Sequence, residues 1–216
     1  MTNLFSMFDP STGIFSLNWI STLIFLMIIP LNFWLFPNKI NFMFMKITNT
    51  LVKEMNMLMP YKGTSLVMIS LFMFILINNV MGLLPYLFTS SSHLVYSLAM
   101  SLPIWISLMM YGWINKYNTM FSHTLPMGTP PILMPFMVMI ETISNLIRPG
   151  SLSVRLTANM IAGHLLMSLL GNNSSSMVLI ISLMLIYLVL MVFELAVAII
   201  QSYVFLTLST LYSSEI

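Results

Sequence analysis

Long apolar stretches separated by short polar ones run along the whole chain. Residues 14–36 form the first stretch, interrupted by Pro30 and ended by Pro37 and Asn38. Membrane helices tolerate such a proline where neighbours satisfy the freed carbonyl. Residues 65–88 form the second, with Asn78 and Asn79 inside it and Gly82 and Pro85 near its end. After a polar turn at residues 89–92 a third covers 93–114, with Pro103 early and Trp105, Tyr111 and Trp113 as interface aromatics. Two more, residues 131–170 and 175–211, are too long for plain spans, and Gly171, Asn172 and Asn173 between them signal a tight turn. At about 1.5 Å per residue each makes a helix of roughly 55–60 Å. The hydrocarbon core is about 30 Å thick, and ordinary tilts average about 20°. The lengths therefore predict a steeply inclined helical hairpin.

Residues 39–62 differ in kind. Lys39, Lys46, Lys53 and Lys62 lie here with Glu54, among Phe42, Phe44, Met45, Leu51, Met55 and Met59. The first three lysines are seven apart and fall near one helix face. The pattern predicts a helix lying in the interface, with a plain solvated loop as the alternative. Basic loops stay on the side of insertion, so this segment and Lys116 mark the inner face. The sum is five spans plus one interfacial helix in a single transmembrane domain. That places the N-terminus outside and Glu215 inside.

Composition supports the all-α, polytopic membrane reading. The chain is 216 residues long, 59% hydrophobic and 6% charged, against about 25% charged in soluble domains. A β-barrel would show alternating segments of about 10 residues, which are absent from the pattern. The chain has no cysteine, which excludes disulfides, Cys-ligated zinc and iron–sulfur clusters. The stretch up to Asp9 reads as neither a cleavable signal nor an Arg-rich transit peptide. A net charge of +2 is too small to imply a nucleic-acid partner. The 24 methionines spread through every apolar segment, as lipid-facing substitutes for Leu and Ile rather than a metal-binding or adaptable surface.

Ionisable residues inside the hairpin carry the candidate chemistry, because each is costly in lipid. They are Glu141, Arg148, Arg155, His164 and Glu194. The competing reading is structural pairing or snorkelling, and Ile147-Arg148-Pro149 is where a helix break could fall. Glu141, Arg148 and Arg155 recur every seven residues and share a face, on which Asn159 stays. Tyr187, Glu194 and Gln201 recur likewise on the last helix. Folded about Asn172, positions pair when their numbers sum to roughly 345, which sets Arg155 level with Leu190 and within about one turn of Glu194. His164 lies half a turn away from Arg155 and nearer the hairpin turn. Histidine titrates near neutral pH, and a carboxyl in apolar surroundings can as well. Arginine does not deprotonate. A permanent cation between two groups of proton carriers blocks a direct leak and can force a partner's carboxyl to release its proton. That is the logic of two half-channels joined by a moving carrier.

Other chemistries are set aside. There is no P-loop. His93, His123 and His164 are read as lying in two loops and one helix, without haem-ligand or zinc-protease spacing. A glycosylation match at residues 172–175 is discounted because such matches are common. A secondary transporter would show internal repeats. A purely structural membrane subunit has no need of a lone arginine in a hairpin.

At these residues the sequence resembles subunit a of the F-type ATP synthase in its mitochondrially encoded form. Residues 153–166 (SVRLTANMIAGHLL) and 194–205 (ELAVAIIQSYVF) carry the resemblance, and residues 80–86 (VMGLLPY) look like the family's earlier helix end. The Met-rich composition is similar to that of arthropod members, insects among them. The resemblance implies a proton-conducting stator subunit, itself neither nucleotide-binding nor dependent on a metal or cofactor. It implies that Arg155 is the essential arginine facing the c-subunit ring. His164 and Glu194 would belong to the intermembrane-space half-channel, Glu141 to the matrix-side exit, and Asn159 and Gln201 to polar support near the arginine. Arg148 stands where other members often have a neutral residue, so no role is carried onto it. Partners would be the c-ring, stator subunits b and 8, protons and the bilayer. The location would be the mitochondrial inner membrane, with the N-terminus toward the intermembrane space and the C-terminus toward the matrix.

Overall fold

The structure, a computed structural model, describes residues 4–11, 14–29, 35–59, 63–125, 128–172 and 177–215. Among the described residues it is helical and contains no strand. Two 3₁₀ segments, Leu4–Phe8 and Leu17–Leu23, precede α1 (Ile24–Ile28). Then follow α2 (Lys39–Leu58), α3 (Thr64–Gly82), a 3₁₀ turn at Ser90–Ser92, α4 (Leu94–Asn115), α5 (Tyr117–Thr124), α6 (Met134–Asn172) and α7 (Met177–Glu215). Helices α3, α4, α6 and α7 are long and apolar enough to cross a membrane. The fold is thus that of a polytopic helical membrane protein. Among the described residues of the first apolar stretch, Leu17–Ile28 are helical. The rest of that expected span around Pro30, Lys62 of the expected interfacial helix, and Asn173 and the residues up to 176 in the hairpin turn lie outside the described residues.

α2 sets Leu51 and Met55 into a core with Met68, Ile69 and Phe72 of α3 and Leu206 of α7. Lys39, Lys46 and Lys53 stay exposed. This is the geometry of a helix that hides one stripe on its neighbours and offers its charged side to a polar environment.

α3 stops at Gly82, six residues before the end that hydropathy suggested. Pro85 cannot continue the ladder, and Tyr86 takes a left-handed φ of 69°. Residues 89–92, read from sequence as a polar turn, are buried. They pack on Gly82, where an added Cβ would lie at ordinary contact distance, 3.5 Å, from the Thr89 side chain. Two of the hydroxyls are satisfied locally, Ser92 Oγ lying 3.1 Å from Thr89 Oγ1 and donating to the Thr89 carbonyl at 2.7 Å, while Ser91 Oγ is buried with no partner among the described residues.

α5 occupies part of what reads as a loop in sequence. Tyr117, Met120 and Phe121 form a short apolar stripe, and Phe121 packs edge-on against Trp113 with centroids 5.0 Å apart. His123 is therefore helical, not in a loop. Nor does the Arg148-Pro149 step break α6, which runs through a buried Pro149. A proline removes one backbone hydrogen bond, and a packed membrane helix can carry that loss.

α7 packs mainly on α3, α6 mainly on α4, and the two long helices lean on each other. Ile75, Leu152, Leu156 and Phe205 join α3, α6 and α7. Leu83, Met160, Met167 and Ala198 form the adjoining cluster, with Tyr187 and Leu190 against it. Met160 with Ala198 sums to 358, and Leu152 with Phe205 to 357, so the facing register lies about twelve above the value expected from a turn at Asn172. α6 does not end until Asn172 and α7 begins only at Met177. The remaining offset is axial: at this register Asn172 of α6 stands level with Leu185 of α7. Arg155 is therefore level with Ser202, not Leu190.

The buried side of α7 is polar for a membrane helix: Glu194, Gln201, Ser202, Ser209, Thr210 and Ser213 all face inward. Its hydroxyls donate to carbonyls one turn back, Ser202 to Ile199 at 2.7 Å and Ser209 to Leu206 at 2.8 Å. Such bonds let Ser and Thr sit in an apolar bundle at little cost.

Candidate functional site

At this register Glu194 lies beside Gly163, the residue before His164. A Cβ added at Gly163 would fall 2.6 Å from Glu194 Cδ and Oε1 and 2.8 Å from Oε2. Only a glycine leaves room for the carboxyl to lie flat on α6. Glu194 is 9% exposed, and neither carboxyl oxygen has a hydrogen-bond partner among the described residues. His164 is 6% exposed; its ring meets the Gly82 carbonyl, and Nε2 is buried without a partner. Gln201, two turns along α7, is likewise buried with both amide atoms unpartnered. Asn79, fully buried on α3, shows the same feature. Unpaired buried polar atoms cost about 1–3 kcal/mol each.

Arg155 behaves differently. Together with Asn159 it is exposed on the outer face of α6 and makes no ion pair or hydrogen bond among the described residues. His164 and Arg155 thus sit on different faces of one helix, one inward and one outward. Gln201 stands at the level of Arg155 on the neighbouring helix but points inward.

Two cavities flank this arrangement. One, of about 510 Å³, is lined by Asp9, Asn18, Tyr86, Thr89, His164 and Tyr187 among others. The second, of about 580 Å³, is lined by His123, Glu141, Asn145, Arg148 and Tyr212 among others. There the Arg148 guanidinium lies 4.0 Å from Glu141 and 5.0 Å from the centre of the Tyr212 ring. Glu141 and His164 are separated by about 34 Å of helix, with Arg155 about 13 Å from the level of His164. The two cavities open at opposite ends of α6, and Arg155 lines neither.

Sequence reasoning named Arg155, His164, Glu194, Glu141, Asn159 and Gln201. The structure sets Glu194 on Gly163 next in sequence to His164, pairs Glu141 with Arg148, and leaves Arg155 with Asn159 between these levels of α6. Gly163 was missed, although an isolated glycine inside an apolar helix is a signal of close packing. Asp9 and Tyr212 were also missed, because nothing local in sequence ties them to α6.

A family model described as ATP synthase A chain matches residues 13–214. ATP synthase subunit a of Anopheles gambiae is 58% identical over 224 residues, covering 100% of this chain and 99% of that protein. The Drosophila melanogaster subunit a is 57% identical over 222 residues with the same coverage, and the Aedes aegypti one 58% over 224.

Proposed function

The chain belongs to the ATP synthase A chain family, and from that premise we propose that it conducts protons through two offset half-channels separated by Arg155. The family places it among the proton-translocating stator subunits of F-type ATP synthases, which are not themselves catalytic, beside membrane-embedded Fo partners such as the c-ring. Its insect relatives and apolar helices suit a multi-pass protein of the mitochondrial inner membrane. Subunits b and 8 are proposed as further neighbours. The N-terminus is proposed to face the intermembrane space and the C-terminus the matrix, in keeping with the exposed lysines of α2 on the inner side.

A proton enters the cavity lined by His164 and passes to Glu194, whose carboxyl lies against Gly163. From there it neutralises a carboxylate on the ring, which can then turn into lipid. After nearly a full turn that carboxyl approaches from the other side, meets the guanidinium of Arg155 and loses its proton toward Glu141 and the second cavity. Arg155 keeps its charge throughout, so the proton has no route from His164 to Glu141 except on the ring. Asn159, one turn on and equally exposed, supports Arg155 at the ring-facing surface. Gln201 extends the buried polar line from Glu194. At ~2.3 kcal/mol per charge per 100 mV, several protons are needed for each ATP.

One observation carries the reading: a cation with no partner among the described residues is exposed midway along a membrane helix, between cavities that open at its two ends. The test is proton flux through reconstituted complex carrying Arg155→Ala with the ring present. ATP-coupled pumping is expected to vanish while passive leak persists or rises. Normal coupled pumping would return Arg155 to a structural role.

A further inference from the structure

The cavity that reaches His164 is walled on one side by the start of the chain, which the path just described does not use. The 3₁₀ segment Leu4–Phe8 packs against α6. Phe8 sets its ring edge-on to the His164 imidazole, centroids 6.2 Å apart at 86°. Asp9 follows directly, exposed and lining the same cavity. Its position is held twice. The Ser11 backbone N–H donates to Oδ1 at 3.0 Å, and the Asn18 side-chain amide donates to the Asp9 carbonyl at 3.3 Å. The Ser11 bonds keep the carboxyl below its ordinary value of 3.8, so the charge is constant at working pH. The other titratable groups among the lining residues are His164 and the phenols Tyr86 and Tyr187, with no basic side chain beside them.

We propose that Asp9 is the proton-collecting charge at the mouth of the inlet cavity, raising the local proton concentration in front of His164, with Phe8 seating the imidazole. This rests on the reading of His164 as an inlet group. The physics is that of a cleft with low-dielectric walls and one sign of charge, which focuses its field and concentrates the opposite ion. Asp9 acts here as a fixed charge and not as a relay, because its carboxylate oxygen is engaged by Ser11. The buried, unpartnered Nε2 of His164 is the acceptor that the concentrated protons meet.

Proton-limited ATP synthesis by reconstituted complex, measured against pH and ionic strength on the inlet side, tests the idea. Asp9→Asn is expected to slow synthesis about three- to tenfold at low salt and alkaline inlet pH. Acidifying the inlet side should close the gap, and so should raising salt from about 0.01 M to about 1 M, where the Debye length falls from about 30 Å to about 3 Å. Asp9→Glu should stay near the unsubstituted rate. The unsubstituted complex itself should slow with salt at fixed inlet pH, a measurement that stands even if Asp9→Asn fails to assemble. An unsubstituted rate indifferent to salt, or an Asp9→Asn rate equal to it at every pH and salt, overturns the proposal. His164→Ala separates the two readings. If it abolishes coupled synthesis while Asp9→Asn is silent, only the role of Asp9 falls. If it leaves coupling intact, the inlet assignment falls and the role of Asp9 with it.

Discussion

Gly163→Ala is the smallest change that reaches the centre of the proposed path. The new methyl would sit 2.6 Å from Glu194 Cδ and Oε1, whereas carbon atoms in contact settle at about 3.5–4.0 Å. The carboxyl therefore has to retreat by about 1 Å, and as the free end of a flexible side chain it can do so. Two opposing effects act on stability. Alanine is about 1 kcal/mol better than glycine within a helix, and overpacking a tight site costs about 1–3 kcal/mol. The complex should thus assemble in near-normal amount. Function should not escape, because a displacement of about 1 Å at a transfer site can cost up to about 100-fold. The assay is ATP synthesis driven by an imposed proton gradient, normalised to assembled complex on native gels. A double-mutant cycle then asks whether the loss runs through the clash. Glu194→Asp shortens the side chain by one methylene, so Gly163→Ala should do much less harm in that background than alone. A full rate for Gly163→Ala would refute the placement of Glu194 against Gly163. Strictly additive losses would show that the methyl acts elsewhere.

Three further outcomes are expected. Arg155→Lys should lower coupled synthesis at least about tenfold, because an ammonium in apolar surroundings can lose its proton where a guanidinium cannot; full coupling would show that any cation suffices. Tyr96→Phe removes the hydroxyl to which the buried Asn78 amide donates at 3.0 Å. It should destabilise the purified complex by about 1–3 kcal/mol in thermal unfolding while leaving the ratio of protons to ATP unchanged. Arg148→Gln breaks a 4.0 Å pair whose side chains are 28% and 38% exposed, and pairs of that kind contribute about 0–1 kcal/mol. A larger loss of thermal stability would mean that the stacking of Arg148 on Tyr212 holds α6 to α7.

The long apolar stretches gave the helices because hydropathy is a one-dimensional property, and the charges inside them stood out for the same reason. That His164 and Arg155 point to different faces follows from half a turn of helix, whereas which of the two turns inward is set by the packing of α6 on its neighbours. Register between the two long helices is different. It depends on how far α7 is displaced along α6, which no residue near the turn encodes, so folding about Asn172 set Arg155 beside the wrong neighbour. Gly163 shows how the error could have been caught, since a glycine just before His164 demands a partner close by. The contact of Asp9 with the His164 cavity spans the whole bundle, and nothing local predicts it. The burial of the turn at residues 89–92 was missed because serines suggest solvent, whereas here Ser92 closes on the Thr89 hydroxyl and carbonyl.

The outward polar face of α6 has an energetic consequence. An arginine near the middle of a membrane helix costs about 2.5–3.5 kcal/mol on insertion scales, and Asn159 beside it adds to that. The neighbouring surface of α7, with Val192, Ile199 and Ile200 exposed, suits lipid. Lipid therefore satisfies one half of this surface and penalises the other. A partner that brings a carboxyl to the depth of Arg155 and apolar helix faces to α7 satisfies both halves at once. On the proposed reading, a ring of identical helices, each with one carboxyl, brings a fresh carboxyl to Arg155 with each helix that passes and keeps apolar faces on α7 in between.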